Sequence, residues 1–312
     1  MRRLAMIGLA LAVGLSAGCR ERAPATPADP QPYEITVDGR ARTFLVHVPA
    51  GQARNAGSMP IVLALHGNLG TGDGMRTLTH FDRVADANGL IVAYPDGYRR
   101  SWADGRGATA ADQAGVDDVA FLAAVLDTIR RDHPVADRTR AFATGMSNGA
   151  MMAHRLGCDL ADRVVAIAPV AGGMPVAVSA GCRPVRPVAV LDIQGTADPL
   201  VPYQGGEVTV PGTGGQRGEL LSATRTATRW ARLNGCAGVA TTGSVPDRAE
   251  DGTRTTSQSW CGGRVQLYTV DGGGHAWPGG LPYLPARIIG PTAEDFDASE
   301  LIAAFFAAQA AG

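Results

Sequence analysis

A serine set between glycines, Gly145-Met146-Ser147-Asn148-Gly149, is the segment of this 312-residue chain best suited to covalent chemistry. It follows a weakly apolar run ending near Thr144 and precedes a helical pattern that starts at Asn148. A serine at a sharp strand-to-helix turn takes up strained backbone angles, so residues without a Cβ are needed beside it for the turn to close. Ala150 and Ala153 then let the helix lie near the sheet. Such a turn lifts the hydroxyl to the positive end of a helix, where an oxyanion formed by attack on a carbonyl is stabilised. The chemistry that fits is nucleophilic acyl transfer.

A serine hydroxyl is a weak nucleophile unless a base sits within hydrogen-bond reach and a carboxylate orients that base. Where the serine lies on this kind of turn, the chain order is serine, acid, histidine. Only His154 and His275 follow Ser147. His154 falls on the helix directly after the turn and cannot reach back over the hydroxyl. His275 follows the apolar run Val265 to Val270 in a glycine-rich loop, Gly272-Gly273-Gly274-His275-Ala276-Trp277, and is taken as the base. Asp198, just past the run Val188 to Ile193, is taken as the acid; Asp192 is its rival but lies within that run.

The second half of an oxyanion hole is expected after the run Ile61 to Leu65, at His66-Gly67-Asn68. The backbone amides of Asn68 and Asn148 are the expected donors, and His66 is read as a structural histidine. Trp102, Met146, Tyr203 and Trp277 are candidates to line a substrate pocket, with Trp277, two residues past the base, preferred. Asp117 and Asp118 read as a helix cap and a buried structural carboxylate.

These residues need a scaffold, and the apolar runs supply one. Ile61 to Leu65, Leu90 to Tyr94, Val164 to Ala168, Val188 to Ile193 and Val265 to Val270, with the weaker Arg140 to Thr144, suit strands buried on both faces. Helical patterns cover Asp117 to Arg131, Asn148 to Leu156, Leu220 to Leu233 and Ser299 to Gln309. An antiparallel hairpin, Tyr33 to Val37 with Arg42 to Val48 around Asp38-Gly39, opens the domain. The expectation is an α/β fold, a mostly parallel sheet flanked by helices, with function at the carboxyl ends of its strands.

Taken together, these segments resemble the polyhydroxybutyrate depolymerase and feruloyl esterase family of exported α/β-hydrolases, over most of Arg42 to Trp277. The matching stretches are Leu65-His66-Gly67, Tyr94-Pro95-Asp96-Gly97, Ser101-Trp102, Gly115 to Phe121, Gly145 to Gly149, Gly195 to Asp198 with Val201-Pro202-Tyr203, and Gly274-His275 with Trp277-Pro278-Gly279. The resemblance implies the α/β-hydrolase fold and a triad of Ser147, Asp198 and His275, in agreement with the residues chosen above. It also implies ester substrates: hydroxyalkanoate oligomers or polyester, or feruloyl and acetyl esters of plant polysaccharide. Similar proteins often carry a cysteine where this chain has Asn68, so no disulfide is implied there.

Residues 1–18 read as an export signal: Arg2 and Arg3, an apolar run from Leu4 to Leu15, then small residues. Cys19 follows in a sequence similar to a lipobox, making it a candidate lipidation site and membrane anchor; ordinary secretion is the alternative. Residues 19–32, with four prolines, read as a tether, and residues 33–312 as one catalytic domain. The four other cysteines are expected to pair locally, Cys158 with Cys182 and Cys236 with Cys261, in an oxidising compartment. With 28 basic residues, all arginine, against 29 acidic ones, nothing suggests a nucleic-acid partner. No metal or cofactor is expected. The competing functions are a surface-anchored binding protein that has lost turnover and a serine peptidase.

Overall fold

The computed structural model describes residues 30–49, 58–208, 217–236 and 238–310. The leader, Cys19 and most of the tether lie outside these residues. Asp38 and Gly39 both have positive φ, 49° and 71°, the pair of angles that lets a two-residue turn follow the twist of its strands. They join β1 (Gln31–Val37) to β2 (Arg40–His47) in an antiparallel hairpin. Strand and helix then alternate: β3 (Met59–Leu65), α1 (Gly72–Thr79), α2 (Phe81–Asn88), β4 (Ile91–Pro95), α3 (Ala110–Gln113), α4 (Asp118–Asp132), β5 (Ala136–Met146), α5 (Asn148–Asp159), β6 (Val164–Val170), α6 (Val176–Gly181) and β7 (Ala189–Gly195). A two-stranded ribbon, β8 (Gly206–Glu207) with β9 (Glu219–Leu220), precedes α7 (Ala223–Leu233). After it come β10 (Thr241–Ser244), β11 (Arg254–Trp260), β12 (Val265–Asp271), α8 (Ala286–Ile289) and α9 (Ala298–Ala310).

The large sheet runs β1-β2-β4-β3-β5-β6-β7-β12-β11-β10. From β4 to β12 its neighbours are parallel, and an antiparallel pair closes each edge. Every residue of β3 is buried, and alternate side chains enter opposite cores: Ile61, Leu63 and Leu65 one, Val62 and Ala64 the other. The first core packs α4, α5 and α7 through Phe121, Leu126, Leu156 and Trp230. The second packs α2 and α9 through Phe81, Val84, Ile302 and Phe306. The result is three layers, helices on both faces of the sheet, as the apolar runs predict.

Local chemistry fixes the element ends. Asp117 caps α4 by accepting from Ala120 N–H at 2.9 Å, and Asp118 is fully buried, paired with Arg42 at 2.7 Å. The expected helix Leu220 to Leu233 is shorter: Leu220 pairs in β9, and the Ser222 side chain caps α7 by accepting from Arg225 N–H. Both expected disulfides are present, Cys158–Cys182 tying α5 to α6 and Cys236–Cys261 tying the end of α7 to that of β11.

Asp192, in β7, is fully buried; one oxygen accepts from Gln194 Nε2 at 2.6 Å and the other has no partner among the described residues. Burial pushes its pKa up to about 7, against a small opposing effect of the Gln194 hydrogen bond. The folded pKa thus exceeds the unfolded one, so the native state holds this proton more tightly, and stability falls as pH rises from about 4 to about 7. Between pH 5 and pH 8 the loss from this one group is about 3 kcal/mol. Asp192→Asn should flatten the decline in melting temperature over that range. Parallel declines for variant and parent would refute the prediction.

Candidate active site

Five loops at the carboxyl ends of β3, β4, β5, β7 and β12 meet over the sheet, and Ser147 stands on the one that links β5 to α5. Its φ and ψ are 57° and −119°, a region costly for a residue with a Cβ and sustained only by surrounding structure. Closure of the turn explains Gly149: a Cβ there would collide with the backbone carbonyl of Leu65 and lie 2.6 Å from that of His66. The His66-Gly67 loop therefore rests directly on the turn. A Cβ at Gly67 would be in contact with Ser147 Cβ at 3.4 Å.

The loops that carry His275 and Asp198 are joined by a similar close approach. Gly195, ending β7, packs so tightly on Gly273 that a Cβ would strike its carbonyl, and Ala197 N–H donates to the same carbonyl at 2.9 Å. This brings His275 Nδ1 to 2.7 Å from Asp198 Oδ2, with both side chains buried. Asp198 Oδ1 accepts from the N–H groups of Leu200 and Val201, each at 2.8 Å. A carboxylate only accepts, so Nδ1 carries the proton and Nε2 is left as the acceptor of the ring. Tyr283, which the sequence did not single out, donates its hydroxyl to the His275 carbonyl at 3.2 Å. Burial and the nearby Asp198 charge push its pKa up, so it remains a donor.

Ser147 and His275 line one cavity of about 1020 Å³, together with Gly67, Asn68, Met146 and Asn148. Neither the Asn68 nor the Asn148 backbone N–H has an acceptor among the described residues, and the latter opens α5, where helix N–H groups lack partners. The cavity wall is otherwise largely apolar, with Leu69, Met151, Leu200, Val201, Leu284 and Ile288. Met151 lies on α5, whereas nothing in the sequence periodicity marks Leu69, Leu200, Val201, Leu284 and Ile288, which come from loops and the short α8.

Of the four pocket candidates, only Met146 reaches the cavity. Trp102 is fully buried beneath it: its Nε1–H donates to the His66 carbonyl at 2.8 Å, and its backbone N–H donates to the Asn148 side chain at 2.8 Å. Trp277 turns into the second core, where Nε1–H donates to Ser299 Oγ at 3.1 Å. The Tyr203 hydroxyl bonds Thr269 Oγ1 at 2.8 Å and its ring packs on the first core. All three rings pack on a core rather than on the cavity wall, Trp102 and Tyr203 on the first and Trp277 in the second.

Behind the turn lies a brace that the sequence did not reveal. The Asn148 carboxamide donates to Asp104 at 2.6 Å and to the Trp102 carbonyl at 3.1 Å. Arg106 grips Asp104 through Nε and Nη2, opposing the upward pKa shift that burial gives this carboxyl. His66 donates from Nδ1 to the Gly67 carbonyl and accepts at Nε2 from Gly97 N–H at 2.9 Å; burial lowers its pKa, so it is a neutral strut. The loops after β3, β4 and β5 are thereby locked to one another.

The fold and this arrangement define an α/β-hydrolase. A family model described as "Esterase PHB depolymerase" matches residues 42–198. A protein named "Putative esterase NocK", from Nocardia uniformis subsp. tsuyamanensis, is 34% identical over 87% of this chain and 81% of its own length. "Feruloyl esterase B" of Piromyces equi is 30% identical over 75% of this chain, and the match spans 42% of that longer protein. Among solved structures, the acetyl xylan esterase from Aspergillus awamori superposes with a TM-score of 0.57 at 16% identity, covering 79% of this chain and 94% of that one. The chain belongs to the PHB depolymerase esterase family.

Proposed function

We infer that the chain is an exported serine esterase that cleaves carboxylic esters through an acyl-enzyme. Ser147 Oγ attacks the ester carbonyl as His275 Nε2 takes its proton, and the N–H groups of Asn68 and Asn148 hold the oxyanion. The intermediate collapses, and His275 returns the proton to the leaving alcohol. Water, deprotonated by the same ring, then frees the acid and restores the serine. The observation that carries this reading is His275, bonded to Asp198 through Nδ1, lining the same cavity as a serine at positive φ.

Relatives named for feruloyl and acetylxylan esters favour an aromatic or acetyl ester of plant polysaccharide, with hydroxyalkanoate esters as the other expected class. Two disulfides suit an oxidising compartment, to which the leader would deliver the chain, anchored where Cys19 is acylated. A fluorophosphonate probe should attach to the peptide containing Ser147 and abolish turnover of p-nitrophenyl acetate and methyl ferulate in step with labelling. Folded protein that takes no label and cleaves neither ester would refute the reading.

A further inference from the structure

The cavity beside Ser147 is unevenly charged. Arg99, Arg106 and Arg217 contribute to its wall, and no aspartate or glutamate does so among the described residues. Arg106 is neutralised by its grip on Asp104. Arg99 and Arg217 have no carboxylate partner among the described residues. The sequence 209–216 beside Arg217, Thr209 to Gln216, contains no acidic residue that could provide one.

The backbone at both arginines is fixed by hydrogen bonds. Arg99 and Arg100 have consecutive positive φ values, 46° and 61°, angles that a residue with a Cβ keeps only where its surroundings hold it. The turn is pinned by Leu69 N–H to the Arg100 carbonyl at 2.7 Å and by Arg100 N–H to the Gly97 carbonyl at 3.0 Å. Tyr98 supports the Arg99 guanidinium with its ring at 5.4 Å. Arg217 is half-buried, and its carbonyl accepts from Arg106 Nη1 at 2.8 Å. Arg217, half-buried, and Arg99, exposed, thus present two guanidinium groups to one cavity with no carboxylate of the described residues beside them, and a substrate carboxylate matches their donor geometry.

We propose that the cavity selects esters bearing a carboxylate, with Arg99 and Arg217 meeting that charge while Ser147 meets the ester carbonyl. The assignment rests on the esterase reading above. The carboxylate can belong to the acyl part or to the alcohol part of the ester. Two substrate pairs separate these: 4-nitrophenyl hemiglutarate against 4-nitrophenyl butyrate, and 3-carboxyphenyl butyrate against phenyl butyrate.

For each pair the quantity read is the ratio of kcat/KM, charged over neutral, so differences in folded fraction between variants cancel. In at least one pair the ratio should fall about tenfold in the R99Q/R217Q double variant, mainly through KM. In the parent, raising salt to about 0.5 M should reduce the same ratio severalfold. Arg217→Glu should lower it further and raise turnover of an ester carrying a quaternary ammonium group relative to its neutral counterpart. Ratios that are the same in parent and double variant for both pairs, or that ignore salt, would overturn the proposal while leaving the esterase reading intact. A parent that cleaves none of the four esters would instead remove the esterase reading, and this assignment with it.

Discussion

Ser147→Ala is expected to lower kcat/KM for p-nitrophenyl butyrate by about 10⁴-fold to 10⁶-fold while leaving the melting temperature nearly unchanged. The activity loss follows because no other hydroxyl among the residues lining the cavity stands on a turn of this kind; Thr109 Oγ1, for example, donates to the Trp102 carbonyl. The stability expectation has a separate basis. The Ser147 side chain makes no hydrogen bond among the described residues, and its backbone strain comes from the Cβ, which alanine keeps. Removing Oγ therefore relieves neither the φ of 57° nor any contact of the glycines around it. What remains should be the catalysis due to oxyanion donors and positioning alone, about 10³-fold over water. Variant protein with turnover within tenfold of the parent would displace Ser147 from the reaction.

The elements legible in the sequence were those whose side chains bury on two faces or make tight turns. β3, β6 and β7 read as continuous apolar runs because helices cover both sides of the sheet there. β10 and β11 were not legible: TTGS and RTTSQSW carry no apolar alternation, since β10 is an exposed edge paired with β11, and β11, between it and β12, buries only Thr255 and Trp260. Helices α1 and α2 escaped for another reason, being short and separated by His80 in a left-handed conformation, so neither presents a long periodic face. At the site, Ser147, Asp198 and His275 could be chosen because a turn motif, a strand end and chain order each restrict the choice. The brace of Trp102, Asp104, Arg106 and Asn148 could not, because its hydrogen bonds join loops up to 46 residues apart and leave no local spacing. Trp277 shows the limit of proximity in sequence. Two residues from His275, its ring packs in the second core.

Asp198→Asn should separate the geometric role of the acid from its charge. The two backbone N–H groups of Leu200 and Val201 both donate to Oδ1, so the amide oxygen of asparagine will occupy that position and its NH₂ will face His275. Nδ1 must then accept, the ring proton moves to Nε2, and the nitrogen needed to deprotonate Ser147 becomes a donor. kcat is expected to fall about 10⁴-fold with a much smaller change in KM, and the rate of fluorophosphonate labelling should fall with it. Asp192→Asn provides the contrast. That carboxyl lies within β7, bonded to Gln194 and absent from the cavity wall, so its loss should alter the pH dependence of stability and leave ester turnover within about threefold. If the two variants exchanged these phenotypes, the acid acting on His275 would be Asp192, and the 2.7 Å contact at Asp198 would have only a structural role.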